Sequence, residues 1–361
     1  MKKIGIMIDG YFVSSGSGIN TYVRHLCQTL IKDLGYDVTL FVDTPIEEKV
    51  SLNQYNKIGV NIVNANENYR VRTFTASFEE NHVARVFKDI CQPWVDEHKP
   101  VAMISHSYGT ALAVRDLEFD GKKCIVTHIG DVMAPDLPDL WDFEDHTVRS
   151  FLQSLDNNDI DLVCQTEGIV DNHLKVLKNR DRKSCIVCHE PFHVAIDRQL
   201  RPVREGAIVV AGNYKRKRLH DVIDVCAKAD IPLTIITGDK TGYGEDLDMY
   251  CIKQKVRYNI IEKLANDFVV PQIRSHRIMI HLSDIEVCPY SVIEAMPYVH
   301  CLVKKGAPWT HKFYPEYTTR IDLDDIDIVK DAYENYDKYE TMDLAEYQKS
   351  VNDSWEAYLS S

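Results

Sequence analysis

Lys3-Ile-Gly-Ile-Met-Ile8 leads, after a short polar stretch, into Gly16-Ser-Gly-Ile-Asn-Thr21. From Thr21 to Leu34 the apolar residues Tyr22, Val23, Leu26, Leu30, Ile31 and Leu34 then recur at helical spacing. A short β-branched run, a glycine turn and an amphipathic helix make one strand–loop–helix unit. The same alternation continues: Asp37 to Asp43, Ala102 to His106, Cys124 to His128 and Asp161 to Gln165 all read as buried parallel strands. It restarts at Ala207, with a strand to Ala211, a helix from Leu219 to Lys228 and a strand from Pro232 to Gly238. Strand, loop, helix and strand follow again in Arg277 to Leu282, Ser291 to Met296 and His300 to Lys304. Such alternation implies parallel sheets covered on both faces. The fold class is α/β with two Rossmann-like domains, which by default face a cleft lined by strand carboxyl ends.

Bulk composition fits this division. At roughly 150 residues per domain, 361 residues imply two domains. The expected domains are 1–200 and 201–345, with a final helix in 346–361 that crosses back to the first. The polar Asp197 to Glu205 stretch is the expected linker, and Leu344 to Leu359 the expected last helix. No apolar run approaches the ~20 residues that a bilayer span needs. Asp9 interrupts the apolar run after Met1-Lys2-Lys3 too early for a signal peptide. Ten cysteines without a secretory signal are expected as reduced thiols in a cytoplasm. A net charge of −13 argues against general coating of nucleic acid or membrane, though not against a local basic cleft.

Three constellations carry chemistry. In Gly16 to Thr21, glycines allow close backbone approach, and the start of a helix offers free N–H groups to an anion. A plain strand-to-helix turn capped by Asn20 or Thr21 accounts for the same residues. In Gly212-Asn213-Tyr214-Lys215-Arg216-Lys217-Arg218, four cations open a helix. This opposes the helix dipole, so a bound anion such as a diphosphate is expected there; a solvated turn is the plainer alternative. In Glu286-Val-Cys-Pro-Tyr-Ser-Val-Ile-Glu294, two carboxylates flank a strand-to-helix loop, and carboxylates suit sugar hydroxyls. Ser291 and Glu294 also have the spacing of a capping box. Cys185-Ile-Val-Cys188-His189 has haem-attachment spacing, with His193 nearby. Its β-branched run ends at Pro191 and no second cysteine pair follows, so buried thiols on a strand are expected there, not haem or metal.

These residues resemble the retaining GT-B glycosyltransferases of the large family that includes sucrose and glycogen synthase relatives. The resemblance runs over most of the chain. It rests on the Ser-Gly-Ser-Gly-Ile-Asn-Thr-Tyr-Val-Arg-His-Leu segment with Asp37-Val-Thr-Leu-Phe, on Ile104 to Ala111, on Gly212 to Arg218, and most specifically on Glu286 to Met296, which is similar to the family's E-x7-E motif. It implies that Gly16 and Gly18 form the donor-phosphate loop, with the Gly18 N–H on phosphate. Lys217 or Arg218 would neutralise the departing diphosphate, beside Gly212, Asn213, Lys215 and Arg216. Glu286 would face the transferred sugar, Glu294 would bind the ribose, and His128 would lie against the sugar. Two positions depart from the pattern: Asn213 stands where the family has Arg, and Pro297 where it has Gly. Whether Lys215 or Arg216 replaces that Arg stays open.

The expected activity is therefore hexosyl or pentosyl transfer, with retention, from a UDP-sugar or GDP-sugar to a saccharide or small-molecule hydroxyl. Cations would do the work of a metal, so no metal or cofactor is expected. The acceptor would engage the first domain, whose Val132 to Trp141 loop would face the cleft. A phage-type enzyme acting on hydroxymethylated DNA bases is an alternative. Arg180, Arg182, Lys183, Arg198 and Arg201 would be its phosphate track, and the net charge counts against it. A catalytically silent sugar-nucleotide binder would keep the same residues, whereas a nucleotide-dependent oxidoreductase would leave the basic loop and both glutamates idle.

Overall fold

The computed structural model describes residues 1–8, 18–43, 49–65, 80–106, 108–128, 156–175, 177–193, 204–264 and 266–361. They form two compact units. Unit 1 holds the described residues up to His193 together with Gln348–Ser361, and unit 2 those from 204 to Tyr347. Of the expected linker only Arg204 and Glu205 are described.

Unit 1 runs β1 (Lys3–Ile8), α1 (Gly18–Gln28), β2 (Asp37–Val42), α2 (Lys49–Asn56), β3 (Asn61–Asn64), α3 (Glu80–His98), β4 (Ala102–Ser105), α4 (Tyr108–Asp116), β5 (Lys122–Val126), β6 (Asp161–Cys164), α5 (Glu167–Leu174) and β7 (Cys185–Val187). Its seven strands are all parallel, in the order β3-β2-β1-β4-β5-β6-β7. The apolar run of β1 is central: Ile4 faces Val38 on one side and Ala102 on the other, and Ile4, Ile6, Met7 and Ile8 are fully buried. Gly5 leaves room for the Met103 thioether of the adjoining strand, which a Cβ would displace. Asn20 and Thr21 lie inside α1, which starts at Gly18, so neither caps it. Asn20 instead accepts from the Tyr55 hydroxyl at 2.5 Å. After Gln28 the helix widens into one π-turn, Thr29–Asp33.

Unit 2 runs β8 (Ala207–Val210), α6 (Leu219–Ala229), β9 (Leu233–Thr237), α7 (Leu247–Gln254), β10 (Tyr258–Glu262), α8 (Asn266–Arg274), β11 (Ile278–His281), α9 (Tyr290–Ala295), β12 (His300–Lys304), β13 (Thr318–Ile321), α10 (Ile326–Glu334) and α11 (Leu344–Ser360). Its six parallel strands are ordered β10-β9-β8-β11-β12-β13. Its core joins Val209 of β8, Ile235 of β9, Ile280 of β11 and Leu302 of β12 with Val222, Ile223 and Cys226 of α6. The last helix starts in unit 2, and from Gln348 onward its residues belong to unit 1. There Val351 and Trp355 are fully buried, and the Tyr358 hydroxyl donates to Asp161 Oδ2 at 2.9 Å.

Cys185 begins β7, and Cys188 is buried with its thiol on the Ser354 carbonyl at 3.8 Å. All ten cysteines are free thiols. Among the described residues no helix is long and apolar enough to cross a membrane, and no group of three or more His, Cys, Asp or Glu is placed to hold a metal ion.

Candidate functional site

In an open parallel sheet, ligands bind beyond the strand carboxyl ends where the strand order reverses. In unit 2 that point lies between β8 and β11, which neighbour each other although two strands separate them in the chain. The loop leaving β8 carries Gly212 to Arg218, and the loop leaving β11 carries Leu282 to Pro289. The two loops are tied together through the backbone. The Asp284 N–H donates to the Arg216 carbonyl at 2.8 Å, and the Ser283 hydroxyl donates to the same oxygen at 3.0 Å. Arg216 Nη1 returns a bond to the Ile285 carbonyl at 3.2 Å.

Glu286 sits where these loops meet and is 9% exposed. Its Oε1 takes the Lys217 ammonium and the His281 Nε2, the latter at 3.1 Å, while Arg216 Nη1 stands 4.0 Å from Oε2. Burial alone would raise the carboxyl pKa. Lys217, His281 and Arg216 together outweigh burial and hold it well below the usual carboxylate range, so Glu286 is ionised at neutral pH. Burial lowers the Lys217 pKa in spite of Glu286, and it lowers that of His281 in the same way, leaving the imidazole neutral at pH 7. A second carboxylate, Asp284, holds both Lys304 and Arg218, with Arg218 Nε 3.3 Å from Asp284 and 2.9 Å from Asp221.

The basic run lies immediately before α6, and its last member opens the helix. Lys215–Lys217 form a 3-10 turn, and Arg218 caps α6 from the left-handed region, at φ 55° and ψ 38°. The first turn of α6 carries Asp221, which suits the helix dipole. Three members of the run face carboxylates, Arg216 and Lys217 on Glu286 and Arg218 on Asp221 and Asp284. The capping box also fails to form: α9 begins at Tyr290 after Pro289 with no side-chain cap, which puts Ser291 inside the helix. Glu294 is half-buried on α9, one turn and more beyond Glu286. Gly212 packs directly under the Tyr214 ring. Asn213 is buried and donates to the Lys240 carbonyl at 3.0 Å, toward the loop after β9, and Lys215 is exposed.

In unit 1 the strand order reverses between β1 and β4. Gly16 and the Val132 to Trp141 loop lie outside the described residues. Gly18 is the exposed first residue of α1. His128, just beyond β5, meets His106, just beyond β4, with His128 Nε2 3.0 Å from His106 Nδ1. The Tyr22 ring packs against both, edge-on to His128. Burial lowers the His128 pKa to about 3, and it lowers His106 strongly, with His128 adding to the effect, so both rings are neutral at pH 7.

The proposed phosphate track is only partly available. Arg180 is buried and bonds the Ile160 and Ser184 carbonyls at 2.9 and 3.1 Å; Arg182 pairs with Glu167 at 2.5 Å. Lys183 is exposed beside Asp181, and Arg198 and Arg201 lie outside the described residues. Sequence reasoning missed His281 and Asp284. A histidine closing an apolar strand five residues before Glu286 was the available signal.

No family model and no curated protein matches the chain. Solved structures do match, at low identity and nearly full length. The lipopolysaccharide outer core galactosyltransferase WaaB in its apo form is 15% identical, with a TM-score of 0.63 over 99% of this chain and 100% of its own. TarM is 12% identical, with a TM-score of 0.70 over 100% and 99%. Anabaena Alr3699/HepE in complex with UDP and glucose is 14% identical, with a TM-score of 0.61 over 100% and 95%. At such identities the likeness concerns architecture, and the chain has the fold of the GT-B glycosyltransferases: two α/β units, each built on a parallel sheet.

Proposed function

We propose that the chain is a glycosyltransferase that moves a sugar from a UDP-sugar or GDP-sugar to a hydroxyl of a saccharide or small molecule, with retention of configuration. The observation that carries this is the buried Glu286, ionised amid Arg216, Lys217 and His281 at the strand-order reversal of unit 2. Four cations there, Arg216, Lys217, Arg218 and Lys304, face three carboxylates, Glu286, Asp284 and Asp221. The surplus is positive, which suits a diphosphate that gains charge as it leaves. The structural neighbours include HepE complexes with UDP and with UDP-glucose, and a TarM variant in complex with UDP and saccharides, which favours the same donor class.

In this assignment the ionised Glu286 accepts hydrogen bonds from hydroxyls of the transferred sugar, which no cation or neutral amide does as strongly. As the glycosidic C–O bond lengthens, the sugar develops positive character and the diphosphate negative. Lys217 and Arg216 stabilise the diphosphate, and Arg218 joins them by shifting from Asp284. That cationic set would serve in place of a metal. Glu294 takes the ribose. The burial of Arg180 weakens the modified-DNA alternative. A cytoplasmic location fits ten free thiols.

Thermal-shift screening against UDP, GDP, their sugars and NAD tests the assignment, since a ligand raises the melting temperature by mass action. A shift with a nucleotide-sugar, followed by slow donor hydrolysis, is expected. A shift with NAD alone would refute the assignment. Binding with neither hydrolysis nor transfer would leave the silent binder in its place.

A further inference from the structure

Strand β11 is apolar and fully buried through Ile278, Met279 and Ile280, and it then ends on His281, which is 2% exposed. A residue serving only to pack there would be apolar. The ring is fixed on two sides. Trp309 lies edge-on against it, with ring centres 5.8 Å apart, and the Trp309 indole N–H is itself tied to the Ser283 carbonyl at 2.9 Å. The His281 Nε2 meets Glu286 Oε1 at 3.1 Å. Among the described residues His281 Nδ1 is buried without a partner. An ionised carboxylate only accepts, so a neutral ring bonded to it must carry its proton on Nε2. The two carboxylate oxygens are therefore unequal. Oε1 is taken by Lys217 and His281, whereas among the described residues Oε2 has only Arg216, at 4.0 Å.

We propose that His281 is a positioning residue, whose Nε2–H holds Oε1 of Glu286 so that Oε2 is presented to the hydroxyls of the donor sugar. This rests on the glycosyltransferase assignment for the ligand, though not for the histidine's own state. Lys217 alone leaves the carboxylate free to rotate, because an ammonium on a four-carbon stem follows it. A rigid imidazole held by a tryptophan does not follow. Histidine also adds a donor without adding charge, so it orients Glu286 without competing for the diphosphate.

Two measurements test this. Nitrogen NMR of the imidazoles in the whole chain is expected to show His281 neutral and protonated on Nε2, with that proton protected from exchange and the protection lost in Glu286→Ala. A His281 protonated on Nδ1, or doubly protonated, at pH 7 would overturn the proposal whatever the ligand is. Calorimetric titration then compares UDP and UDP-glucose on His281→Leu and His281→Gln. The leucine variant should bind UDP as the unaltered protein does and lose tenfold or more in affinity for UDP-glucose. Glutamine, whose Nε2 can reach the same oxygen, should recover to within about threefold. An unchanged UDP-glucose affinity in His281→Leu, or an equal loss for both ligands, would refute the positioning role. If the unaltered chain bound neither nucleotide, the donor assignment would fail, and the NMR result would still decide the state of His281.

Discussion

Replacing Glu286 by glutamine should cost unit 2 several kcal/mol, and the cost should fall as pH rises. The substitution keeps shape and an acceptor for His281 Nε2, so what disappears is the negative charge beside Lys217. The Lys217 side chain is only 15% exposed, and burial already lowers its pKa against the pull of Glu286. Without the carboxylate it must stay charged and unpaired or give up its proton. The second route sets a ceiling: from a lysine's ordinary pKa near 10.4, losing the proton costs about 4.6 kcal/mol at pH 7 and about 1.9 at pH 9. Breaking a buried pair by removing one partner typically costs about 3–5 kcal/mol, close to that ceiling. At about 2–4 °C per kcal/mol, the melting transition of unit 2 should drop by roughly 6–20 °C at pH 7. It should recover part of that loss at pH 9. Adding Lys217→Met should restore much of the stability, because both charges are then gone. Scanning calorimetry of both single variants and the double variant at the two pH values measures this cycle. A loss under about 1 kcal/mol in Glu286→Gln, or strictly additive effects in the double variant, would show that the pair is solvated and unimportant.

Acid should destabilise unit 1 and unit 2 well above the carboxylate range. Burial lowers His25 to about 3 and His173 and His300 to about 4, so the unfolded chain takes up protons below pH 6.5 that the folded chain refuses. Stability is retained above pH 6.5 and should fall by about 2 kcal/mol per histidine between pH 7 and pH 5, read by urea titration at the two values. Thiol titration of the native protein should find one reactive cysteine, the half-buried Cys288, and ten after unfolding, with the melting temperature indifferent to reductant. Glu294→Gln should weaken UDP by about 1.5–3 kcal/mol in calorimetric titration while leaving the apo melting temperature nearly unchanged, and an unaltered affinity would remove the ribose role.

The strands that were not anticipated share one physical feature, although one edge strand, β7, was expected from its thiols. β1, β4, β5, β8, β9, β11 and β12 are interior to their sheets, covered on both faces, and so read as continuous apolar runs. β3, β10 and β13 were not anticipated, and all three are edges. Asn61–Asn64 and Tyr258–Glu262 are mostly half-buried or exposed, and Thr318–Ile321 is buried only at its two ends, so a sequence has no apolar stretch to offer there.

The candidate site was legible for a related reason and failed at a related place. Glu286 and the basic run stand out because charges beside strand ends are unusual, and their loops do meet. What spacing could not supply was which charge answers which. The helix-dipole conflict that pointed to an anion is offset within the chain, because Asp221 takes the first turn of α6 and pairs with the capping Arg218. Part of the attraction assigned to an absent diphosphate is thus already satisfied by Glu286 and Asp284. A ligand has to compete with these carboxylates, so Arg218 and Lys304 release from Asp284 only if the incoming charge exceeds one carboxylate's. A diphosphate meets that condition and a lone sugar hydroxyl does not. Asp284→Asn should therefore tighten UDP, by freeing the two cations, while lowering stability. Weaker UDP binding in that variant would mean that Asp284 holds the cations in place for the ligand and does not withhold them.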